Sequence, residues 1–537
     1  MADFYYSFES SSQERNIPKF KEYDSLLNIA SGFDIFYNAN TTTHVTEGKN
    51  SVTILGYVYK LKSDVEAYLS DLLLNFKEDR IAEAKKELLG QYTAIIYKDG
   101  QIYLFSDFLQ TRGIFYNTES KSICSSFASL GAEPTDEYKA FEFLAMRHCI
   151  YPVWLGNTTI DDKIKRLRAF EYLKVDEKTG KLNVEGIQIT IDNRKIESLK
   201  EIKTFTLSLL RDAIHHPAIQ HKKIGSTVTG GFDSRFVTSL AKEYYPDLNL
   251  RISIFKGEKS LDFIIASEVA KALSLPLNIY ETDLEKQKGG FYDLTDGLTP
   301  RENSIMMDLF QHTTDYDLGF GGAYGTELYT TAEFETKEEW INAFLDKAKH
   351  AVKAIPEYYE RFEQTLYSDL EAVEKHYLLK EYNPKDLMRI FRLLNTGFFS
   401  SQVVATYNIH GLQYELFGTY PVIEAGLRIP YRYLGSKLTF GRFYMIPKAL
   451  VGQINPKVSK IITTHFCPMC PLSAFSLVSY VSGKLKGKQY YKNLAKTQAG
   501  KEQKLTYQTD NIQYTSNYWF EGFMLKYLDK YKKKSKD

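Results

Sequence analysis

Two adjacent glycines, Gly230 and Gly231, separate a short β-branched run from a helical run near the middle of the chain. Strand-like and helix-like segments alternate around them at the spacing that parallel strands need for their crossover helices. The predicted segments are helix 199–216, strand 224–228, helix 233–245, strand 250–255 and helix 261–273. Ser260 is placed to cap the last of these helices. This alternation predicts an α/β domain with a parallel sheet, and it places the glycine pair beyond the carboxyl end of a strand.

The loop that contains these glycines, 229–234, has the composition of a phosphate-binding turn. Glycine lets the backbone turn tightly, so that amide hydrogens can face an anion without an intervening side chain. Thr229 and Ser234 add hydroxyl groups, and the start of the following helix adds its positive dipole end. Asp233 is unexpected beside phosphates unless a cation lies between them, so it is predicted to be a Mg²⁺ ligand. The alternative is a structural glycine turn capped by Asp233 and Ser234.

The part of the chain before about residue 190 shows β-branched and aromatic runs broken by turn signals, with few helical patterns. These runs are 52–61, 92–107 and 113–127. Asp99 and Gly100 predict a tight hairpin, and the meander as a whole predicts stacked antiparallel sheets. A chain of 537 residues exceeds what one hydrophobic core usually supports. Because the pattern changes near residue 198, the predicted domains are 1–195 and 196–537, the second mostly helical from residue 340 onward.

Composition and charge exclude several classes of function. The chain has 68 Lys plus Arg against 67 Asp plus Glu, a formal net charge of +1. Charges this evenly balanced give no net electrostatic attraction for nucleic acid or an anionic membrane. The basic run 528–537 is typical of a solvated tail. The first residues lack a secretory signal pattern, and no apolar stretch is long enough to cross a bilayer. With only four cysteines, the expected location is a reducing cytoplasm.

The loop and its surroundings resemble the asparagine synthetase family, which includes β-lactam synthetases and lasso-peptide cyclases. The segment 229-TGGFDS-234 is similar to the family's SGGxDS loop, and 260–277 is similar to its S-x-D helix, with Asp262 on the matching position. The segment 252–255 resembles the strand whose backbone meets adenine. The resemblance implies an ATP-pyrophosphatase (adenine nucleotide hydrolase-like) domain. The nucleotide-contacting residues it implies are Val228, Thr229, Gly230, Gly231, Asp233, Ser234, Ile254 and Gly322.

The N-terminal half resembles the family's glutaminase-type domain, an Ntn-hydrolase-like sandwich. The similarity lies in 90–117 and in 126-SFASLGA-132. Family glutaminases use an N-terminal Cys as nucleophile, whereas this chain has Ala2 and no Cys before Cys124. The family's glutamine-binding N-G-E is here 55-LGY-57, which lacks both polar groups. Since the reaction needs a thiolate and an amide-recognition site, the domain is predicted to be inactive as a glutaminase.

The segment 319-GFGGAYGTELYTT-331 resembles the family's S-G-E-G-x-D-E loop. One register puts Tyr324 on the catalytic Glu position and Glu327 on the metal-binding Asp. Tyrosine also occurs there in β-lactam synthetases. Glu327 keeps a carboxylate, one methylene group farther from the backbone than that of Asp, which can still reach Mg²⁺. A slip by one residue would put Thr326 where the metal ligand belongs. The first register is preferred because a polyphosphate site needs that carboxylate.

Further along, 420–434 resembles the family's P-F-L-D stretch and 441–458 resembles its K-x-L-L-R segment. The two family cations fall near Phe443 and Pro447. Arg442 and Lys448 each lie one position away, and they are the predicted substitutes that meet the leaving pyrophosphate.

Taken with the residues, the resemblance implies an ATP- and Mg²⁺-dependent ligase that adenylates a carboxylate and transfers the acyl group to an amine. Asp233 and Glu327 are the expected metal ligands, and Tyr324 is expected to orient or deprotonate the amine. The expected partners are small-molecule or peptide carboxylate and amine substrates, with a homodimer or a biosynthetic partner protein as further options. The alternative is a non-catalytic descendant that binds nucleotide or serves as a partner protein.

Overall fold

The structure is a computed structural model. It describes residues 4–8, 25–30, 33–37, 42–61, 63–148, 156–216, 222–255, 260–282, 315–330, 334–410, 412–434, 445–464, 504–509 and 511–517, with isolated positions at 468, 478, 482 and 485. No described helix combines the length and the apolar character needed to cross a membrane.

The N-terminal half is built from short antiparallel strands with three α-helices among its described residues. The strands are β1 (Tyr5–Ser7), β2 (Ser25–Ala30), β3 (Phe33–Tyr37), β4 (Thr42–Glu47), β5 (Asn50–Tyr59), β6 (Leu89–Lys98), β7 (Gln101–Ser106), β8 (Phe115–Asn117), β9 (Ser122–Cys124), β10 (Ile164–Arg166), β11 (Glu171–Asp176), β12 (Leu182–Gly186) and β13 (Ile189–Ile191). The helices are α1 (Val65–Leu74), α2 (Arg80–Glu87) and α3 (Glu137–His148).

Twelve of these strands form two six-stranded antiparallel sheets. The first has the order β10-β8-β9-β1-β3-β2 and the second β12-β11-β7-β6-β5-β4. Apolar side chains from both sheets share one buried core, with Phe33 and Ile123 from the first sheet and Leu104 and Leu173 from the second. Alternating side chains along each strand place these residues on the inner faces. The predicted stacked antiparallel sheets are therefore confirmed, and their assignment to the Ntn-hydrolase family stays a prediction.

The hairpin predicted at Asp99 and Gly100 joins β6 to β7. Both residues have a positive φ, 51° for Asp99 and 79° for Gly100. Two such residues in succession are typical of the turns whose twist matches paired strands. The hairpin prediction is confirmed.

The C-terminal half adds a parallel sheet, a small antiparallel sheet and most of the helices. Its strands are β14 (Ile224–Thr227), β15 (Asn249–Phe255), β16 (Leu277–Thr282), β17 (Leu318–Gly321), β18 (Val352–Ala354), β19 (Tyr377–Leu379), β20 (Leu412–Glu415), β21 (Lys504–Gln508) and β22 (Ile512–Asn517). Its described helices are α4 (Leu199–Ile214), α5 (Asp233–Lys242), α6 (Leu261–Leu273), α7 (Gly325–Tyr329), α8 (Lys337–Ala351), α9 (Pro356–His376), α10 (Pro384–His410), α11 (Tyr420–Leu427), α12 (Met445–Ile454) and α13 (Pro456–Ser459).

The five-stranded sheet of this half has the order β16-β15-β14-β17-β20, and every neighbouring pair is parallel. The predicted alternation of strands and helices is confirmed to within a few residues at each end. Ser260 caps α6 as expected, because its Oγ accepts a hydrogen bond of 3.2 Å from the Phe263 amide. The antiparallel sheet β18-β22-β21 lies in the region predicted to be mostly helical and was not predicted.

Strand order reverses direction between β14 and β17, since β15 and β16 extend the sheet on one side and β20 on the other. The loops that follow these two neighbouring strands leave the same edge of the sheet in opposite directions. A crevice opens at such a point, which is where open α/β sheets bind ligands. The loop after β14 is the predicted phosphate-binding loop, and the loop after β17 ends at Tyr324, directly before α7, which contains Glu327.

Strand β20, at the edge of the parallel sheet, lies against β5 and β6 of the N-terminal half. The Tyr414 ring meets the Tyr59 ring edge-on with centroids 5.3 Å apart, and their hydroxyl groups share a hydrogen bond. Strand β13 pairs in parallel with β19. The end of the segment assigned to the first domain therefore already contacts the second, and the boundary at residues 195 and 196 stays a prediction.

Candidate functional site

The loop between β14 and α5 is closed by its own hydroxyl groups. Ser234 Oγ accepts a hydrogen bond of 3.0 Å from the Thr229 amide and lies 2.9 Å from Thr229 Oγ1. Thr229 Oγ1 in turn accepts from the Gly231 amide at 3.3 Å. The predicted hydroxyl pair is therefore brought together across the loop.

Gly230 lies where a side chain would not fit. A Cβ on Gly230 would fall 2.6 Å from Thr464 Cγ2 and 3.1 Å from Ile265 Cδ1. Its amide donates a hydrogen bond of 2.7 Å to Asp262 Oδ1, and its carbonyl accepts one of 3.0 Å from the Thr464 amide. The amides of Gly230 and Gly231 were expected to face an anion, but in the structure both donate to protein side chains. A phosphate would have to replace these bonds.

Arg235 stabilises the loop by hydrogen bonds to its carbonyl oxygens. The sequence analysis did not predict this role. The side chain is fully buried. Its guanidinium donates to the carbonyl oxygens of Gly230 and Gly231 at 3.0 and 2.8 Å and to those of Ile461 and Ile462 at 2.8 and 2.9 Å. A cation in the first turn of a helix opposes the helix dipole, and this placement was a signal available in the sequence.

The second loop, after β17, packs directly on the start of α5. A Cβ on Gly322 would lie 2.6 Å from the Asp233 carbonyl carbon and 2.7 Å from the Ser234 nitrogen. A Cβ on Gly325 would lie 2.5 Å from Asp233 Oδ1. Glycine at both positions lets the two loops approach closely, which brings the predicted phosphate loop and the predicted metal loop into one site.

Asp233 and Glu327 form a pair of buried carboxyl groups in this site. Glu327 is 5% exposed, and Asp233 Oδ1 is buried without a hydrogen-bond partner among the described residues. Burial and the charge of Glu327 raise the pKa of Asp233 to about 8, against the hydrogen bonds it accepts from Thr326. One of these joins Thr326 Oγ1 to Asp233 Oδ2 at 2.8 Å. Both candidate ligand positions, Thr326 and Glu327, therefore interact with Asp233.

An acceptor atom without a partner beside a second carboxylate fits a divalent cation. Within the described ranges no group of three or more His, Cys, Asp or Glu side chains is arranged to hold a metal ion. A site with two carboxylates suits Mg²⁺, because this ion is usually bound by one or two carboxylates together with waters and substrate phosphates, and not by protein ligands alone. The residues present therefore fit the predicted ion.

Tyr324 adopts a left-handed conformation, with φ of 74°, directly before α7. Its side chain is 1% exposed, and a Cβ on Gly418 would lie 2.8 Å from its Cε2. The ring therefore packs against the backbone that follows β20. Its proposed action on an incoming amine stays a prediction.

The remaining predicted residues are placed as follows. Val228 is fully buried and its amide donates a hydrogen bond of 2.9 Å to the Arg251 carbonyl oxygen, while Ile254 is 5% exposed near the carboxyl end of β15. Lys448 is 3% exposed on α12, which packs against α5. Arg442 lies outside the described residues.

Arg392 of α10 was not predicted as part of the site. It acts electrostatically on Asp233 and donates a hydrogen bond of 2.7 Å to Thr330 Oγ1.

A curated relative of this chain is "Asparagine synthetase [glutamine-hydrolyzing] 1" of Bacillus subtilis (strain 168), which is 23% identical over 261 residues. The chain is asparagine-synthetase-like. The match covers 45% of this chain and 38% of the relative, so the chain spans about two fifths of the length of that protein. No family model matches the chain.

Two solved structures also resemble this asparagine-synthetase-like chain in part. One is glutamine phosphoribosylpyrophosphate amidotransferase from B. subtilis complexed with ADP and GMP, at 9% identity and a TM-score of 0.20, covering 46% of this chain and 74% of that one. The other is titled the allosteric regulatory enzyme of purine biosynthesis, at 12% identity and a TM-score of 0.18, covering 41% and 48%. Scores this low indicate only limited superposition.

The segment that matches the family's glutamine-binding N-G-E carries Leu55 and Tyr57 in this asparagine-synthetase-like chain, in place of the amide and the carboxylate. Leu55 and Tyr57 are 2% and 4% exposed. Gly56 between them has φ of 109°, and a Cβ there would lie 2.3 Å from the Gln91 carbonyl oxygen. Strand β5 thus approaches β6 closely and has only the buried side chains of Leu55 and Tyr57 on either side of Gly56. Ala2 lies outside the described residues.

Proposed function

We propose that this chain is an ATP-dependent amide ligase that forms AMP and pyrophosphate and has no glutaminase activity. The observation that carries the proposal is the carboxyl pair Asp233 and Glu327, on two loops that meet at the switch point of a parallel sheet. Similarity to an asparagine synthetase supports ATP-dependent amide formation as the general reaction. The proposal includes assignment of the C-terminal half to the ATP-pyrophosphatase fold.

In this proposal, Asp233 and Glu327 hold Mg²⁺, which would neutralise negative charge on the polyphosphate when bound. The hydroxyl groups of Thr229 and Ser234 would exchange their mutual hydrogen bond for bonds to phosphate oxygens. Lys448, close to α5, and Arg392, close to Asp233, would supply positive charge toward the leaving pyrophosphate. Such electrostatic contacts dominate catalysis of phosphoryl and nucleotidyl transfer.

The proposed reaction has two steps. A carboxylate oxygen of the substrate forms a bond to the α-phosphorus of ATP, and the bond to pyrophosphate breaks. The nitrogen of an amine then forms a bond to the acyl carbon, AMP leaves and the amine loses a proton. The acceptor would be a free amine, on a small molecule or a peptide, because Leu55 and Tyr57, both buried, replace the amide and the carboxylate with which the family binds glutamine.

ATP–pyrophosphate exchange with a panel of carboxylates tests the proposal. Wild-type protein should exchange label with at least one carboxylate, and Asp233→Asn should reduce that rate by about a hundredfold or more, in line with the loss of one charge-stabilising group. Asp247→Asn is the matched control, since Asp247 is exposed beyond the far end of α5. Wild-type protein that binds no ATP in a calorimetric titration with Mg²⁺ would rule the proposal out.

A second candidate is a non-catalytic nucleotide-binding or partner protein. The observations that favour it are the loop amides of Gly230 and Gly231, which bond within the protein, and the packed ring of Tyr324. This candidate predicts ATP binding without pyrophosphate exchange for any carboxylate, so the same two measurements distinguish it from the ligase. Association with a second copy of the chain or with a biosynthetic partner protein belongs to this proposal.

A further inference from the structure

Gln91 of β6 binds both backbone groups of one residue in the opposite half of the chain. Its Oε1 accepts a hydrogen bond of 2.8 Å from the Glu415 amide, and its Nε2 donates one of 3.2 Å to the Glu415 carbonyl oxygen. Gln91 is fully buried. Because β20 is an edge strand, its backbone needs partners, and the Gln91 carboxamide supplies them as a neighbouring strand would.

The side chain of Glu415 continues this connection into the candidate site. Its Oε2 accepts a hydrogen bond of 2.8 Å from the Ala323 amide, and its Oε1 accepts one of 3.0 Å from Gln413 Nε2. Gly321 leaves the necessary space, since a Cβ there would lie 2.0 Å from Glu415 Oε1. Glu415 is only 6% exposed and its bond to the Ala323 amide is partly buried, so removal of this acceptor would leave that amide with limited access to another partner.

Ala323 lies in the middle of the second loop of the site. Gly322, before it, packs on the start of α5, and Tyr324, after it, has the left-handed conformation that turns the chain into α7. Glu327 follows within that helix. The position of the Ala323 amide therefore helps to determine where the carboxylate of Glu327 lies relative to Asp233.

A second contact runs in parallel through the segment after β20. A Cβ on Gly418 would lie 2.8 Å from Tyr324 Cε2 and 3.4 Å from Gln91 Nε2, so Gly418 separates the two side chains with little space to spare. Phe417 packs edge-on against Tyr329 of α7, with ring centroids 5.7 Å apart. Tyr324, directly before α7, and Tyr329, at its end, therefore both contact the residues that follow Glu415, whose backbone Gln91 binds.

We infer that the N-terminal sandwich positions the 322–327 loop through Gln91, Glu415 and the Ala323 amide. Gln91 and Glu415 are positioning residues, and the N-terminal half supports the site on the parallel sheet. The influence of Gln91 and Glu415 on the position of residues 322–327 does not depend on the proposed function, whereas their influence on ATP binding rests on it. This role would give the sandwich a structural function that does not depend on glutamine binding.

Hydrogen exchange of the 322–327 segment, in the full chain without nucleotide, tests the inference independently of activity. Glu415→Ala removes the acceptor of the Ala323 amide, whereas Glu415→Gln keeps one carbonyl oxygen for it. We expect exchange in this segment to be about tenfold faster in Glu415→Ala and close to wild type in Glu415→Gln. Gln91→Ala should also speed exchange, because it frees the backbone of β20 from the N-terminal half.

Gln101→Ala is the matched control. Gln101 also lies on a strand of the second sheet, but its side chain donates to Asp176 Oδ2 at 2.7 Å, within the N-terminal half. Unchanged exchange at 322–327 in both Gln91→Ala and Glu415→Ala would overturn the inference. If Gln91→Ala does not fold, the comparison of Glu415→Ala with Glu415→Gln decides alone, and equal exchange in these two would overturn it.

ATP titration of the same variants separates this inference from the proposed function. If wild-type protein binds Mg-ATP, Gln91→Ala should raise the Kd about tenfold and Gln101→Ala should leave it unchanged. If wild-type protein binds no ATP, the proposed function fails, and hydrogen exchange still decides whether the sandwich positions the loop.

Discussion

Asp233 interacts with the carboxyl group of Glu327 in the neighbouring helix α7, and burial together with this charge raises the pKa of Asp233 to about 8. An Asp ordinarily ionises near 3.8. Two like charges in a buried site oppose each other, and a divalent cation between them would reverse the sign of the interaction. The pair therefore links metal binding, proton release and stability.

The first prediction concerns stability and pH in the absence of metal. Because the folded-state pKa of Asp233 is raised, the folded chain holds this proton more tightly than the unfolded chain does. Its contribution to stability is fully present below about pH 4 and is lost as pH rises toward about 8. Asp233→Asn lacks this loss, so its free energy of unfolding should exceed that of wild type increasingly between pH 5 and pH 8. A shift of even two pKa units corresponds to about 3 kcal/mol.

Thermal unfolding in EDTA at several pH values measures this gap. Mg²⁺ with ATP should narrow the gap at pH 8 by stabilising wild type alone, since ligands that bind only the folded state add to its stability. Asp247→Asn serves as the control and should show a gap that does not depend on pH. The same flat profile for Asp233→Asn would show that its carboxyl group is not destabilised in the fold.

The second prediction distinguishes the two possible metal ligands after Gly325. If Glu327 binds the cation, Glu327→Gln should weaken Mg-ATP binding about tenfold or more, since a charged ligand is lost. Thr326→Val removes only the hydroxyl that donates to Asp233 Oδ2, so it should change affinity by less than about threefold. The reverse order of effects, in titrations with Mg²⁺ present, would favour the register in which Thr326 is the ligand.

The third prediction uses the space around Gly230. Gly230→Ala would bring a Cβ to 2.6 Å from Thr464 Cγ2, so the loop must shift and nucleotide affinity should fall by about tenfold or more. Thr464→Ser removes that methyl group, and the double variant should recover part of the affinity. Gly231→Ala is the milder control, because its Cβ would meet only Thr229 Oγ1 at 3.3 Å. Equal nucleotide affinity in wild type, Gly230→Ala, the double variant and Gly231→Ala would mean that the loop does not contact nucleotide.

The sequence was sufficient to predict the parallel sheet. A strand pattern precedes Gly230 and Gly231 and a helix pattern follows them, and both patterns depend only on residues that are close in sequence. The Asp99–Gly100 hairpin was predictable for the same reason: its positive φ values depend on two residues only. The strands β18, β21 and β22 were not predicted, because they are short and β18 pairs with a strand about 160 residues away, as in Val352 with Tyr514.

The candidate site was predicted only in part, because some of its contacts join distant segments. The sequence indicated Asp233 and Glu327 through motif similarity, and both lie in one site. No local pattern could indicate that Arg392 would act on Asp233 from α10, or that Gln91 would bind the backbone of Glu415. Those contacts depend on how the helices and the sandwich pack around the parallel sheet.

The fourth prediction is that the chain releases no ammonia from glutamine above the rate of a protein-free blank. Ala2 offers no nucleophile, and Leu55 and Tyr57 replace the amide and the carboxylate with which the family binds glutamine. Ala2→Cys should remain inactive, since a thiolate without a positioned substrate does not restore the reaction. Ammonia release by wild type, in a coupled assay with glutamine, would contradict this prediction, and activity gained by Ala2→Cys would show that an amide site persists.

The last prediction concerns Tyr324 and separates an acid–base role from a packing role. Tyr324→Phe keeps the ring that packs on Gly418 and removes only the phenol oxygen. If that oxygen orients the incoming amine or takes its proton, amide formation should slow about a hundred- to ten-thousand-fold. Adenylation, measured as pyrophosphate exchange, should stay largely intact.

Gly418→Ala is the companion variant, since its Cβ would press on the Tyr324 ring at 2.8 Å and displace the loop without removing the hydroxyl. It should lower both half-reactions, because Glu327 moves with the loop. Equal losses in both half-reactions for Tyr324→Phe would assign Tyr324 to folding or to the ATP site. No loss in either would make its ring a packing element, and then the left-handed turn at Tyr324 would matter only through the backbone that leads to Glu327.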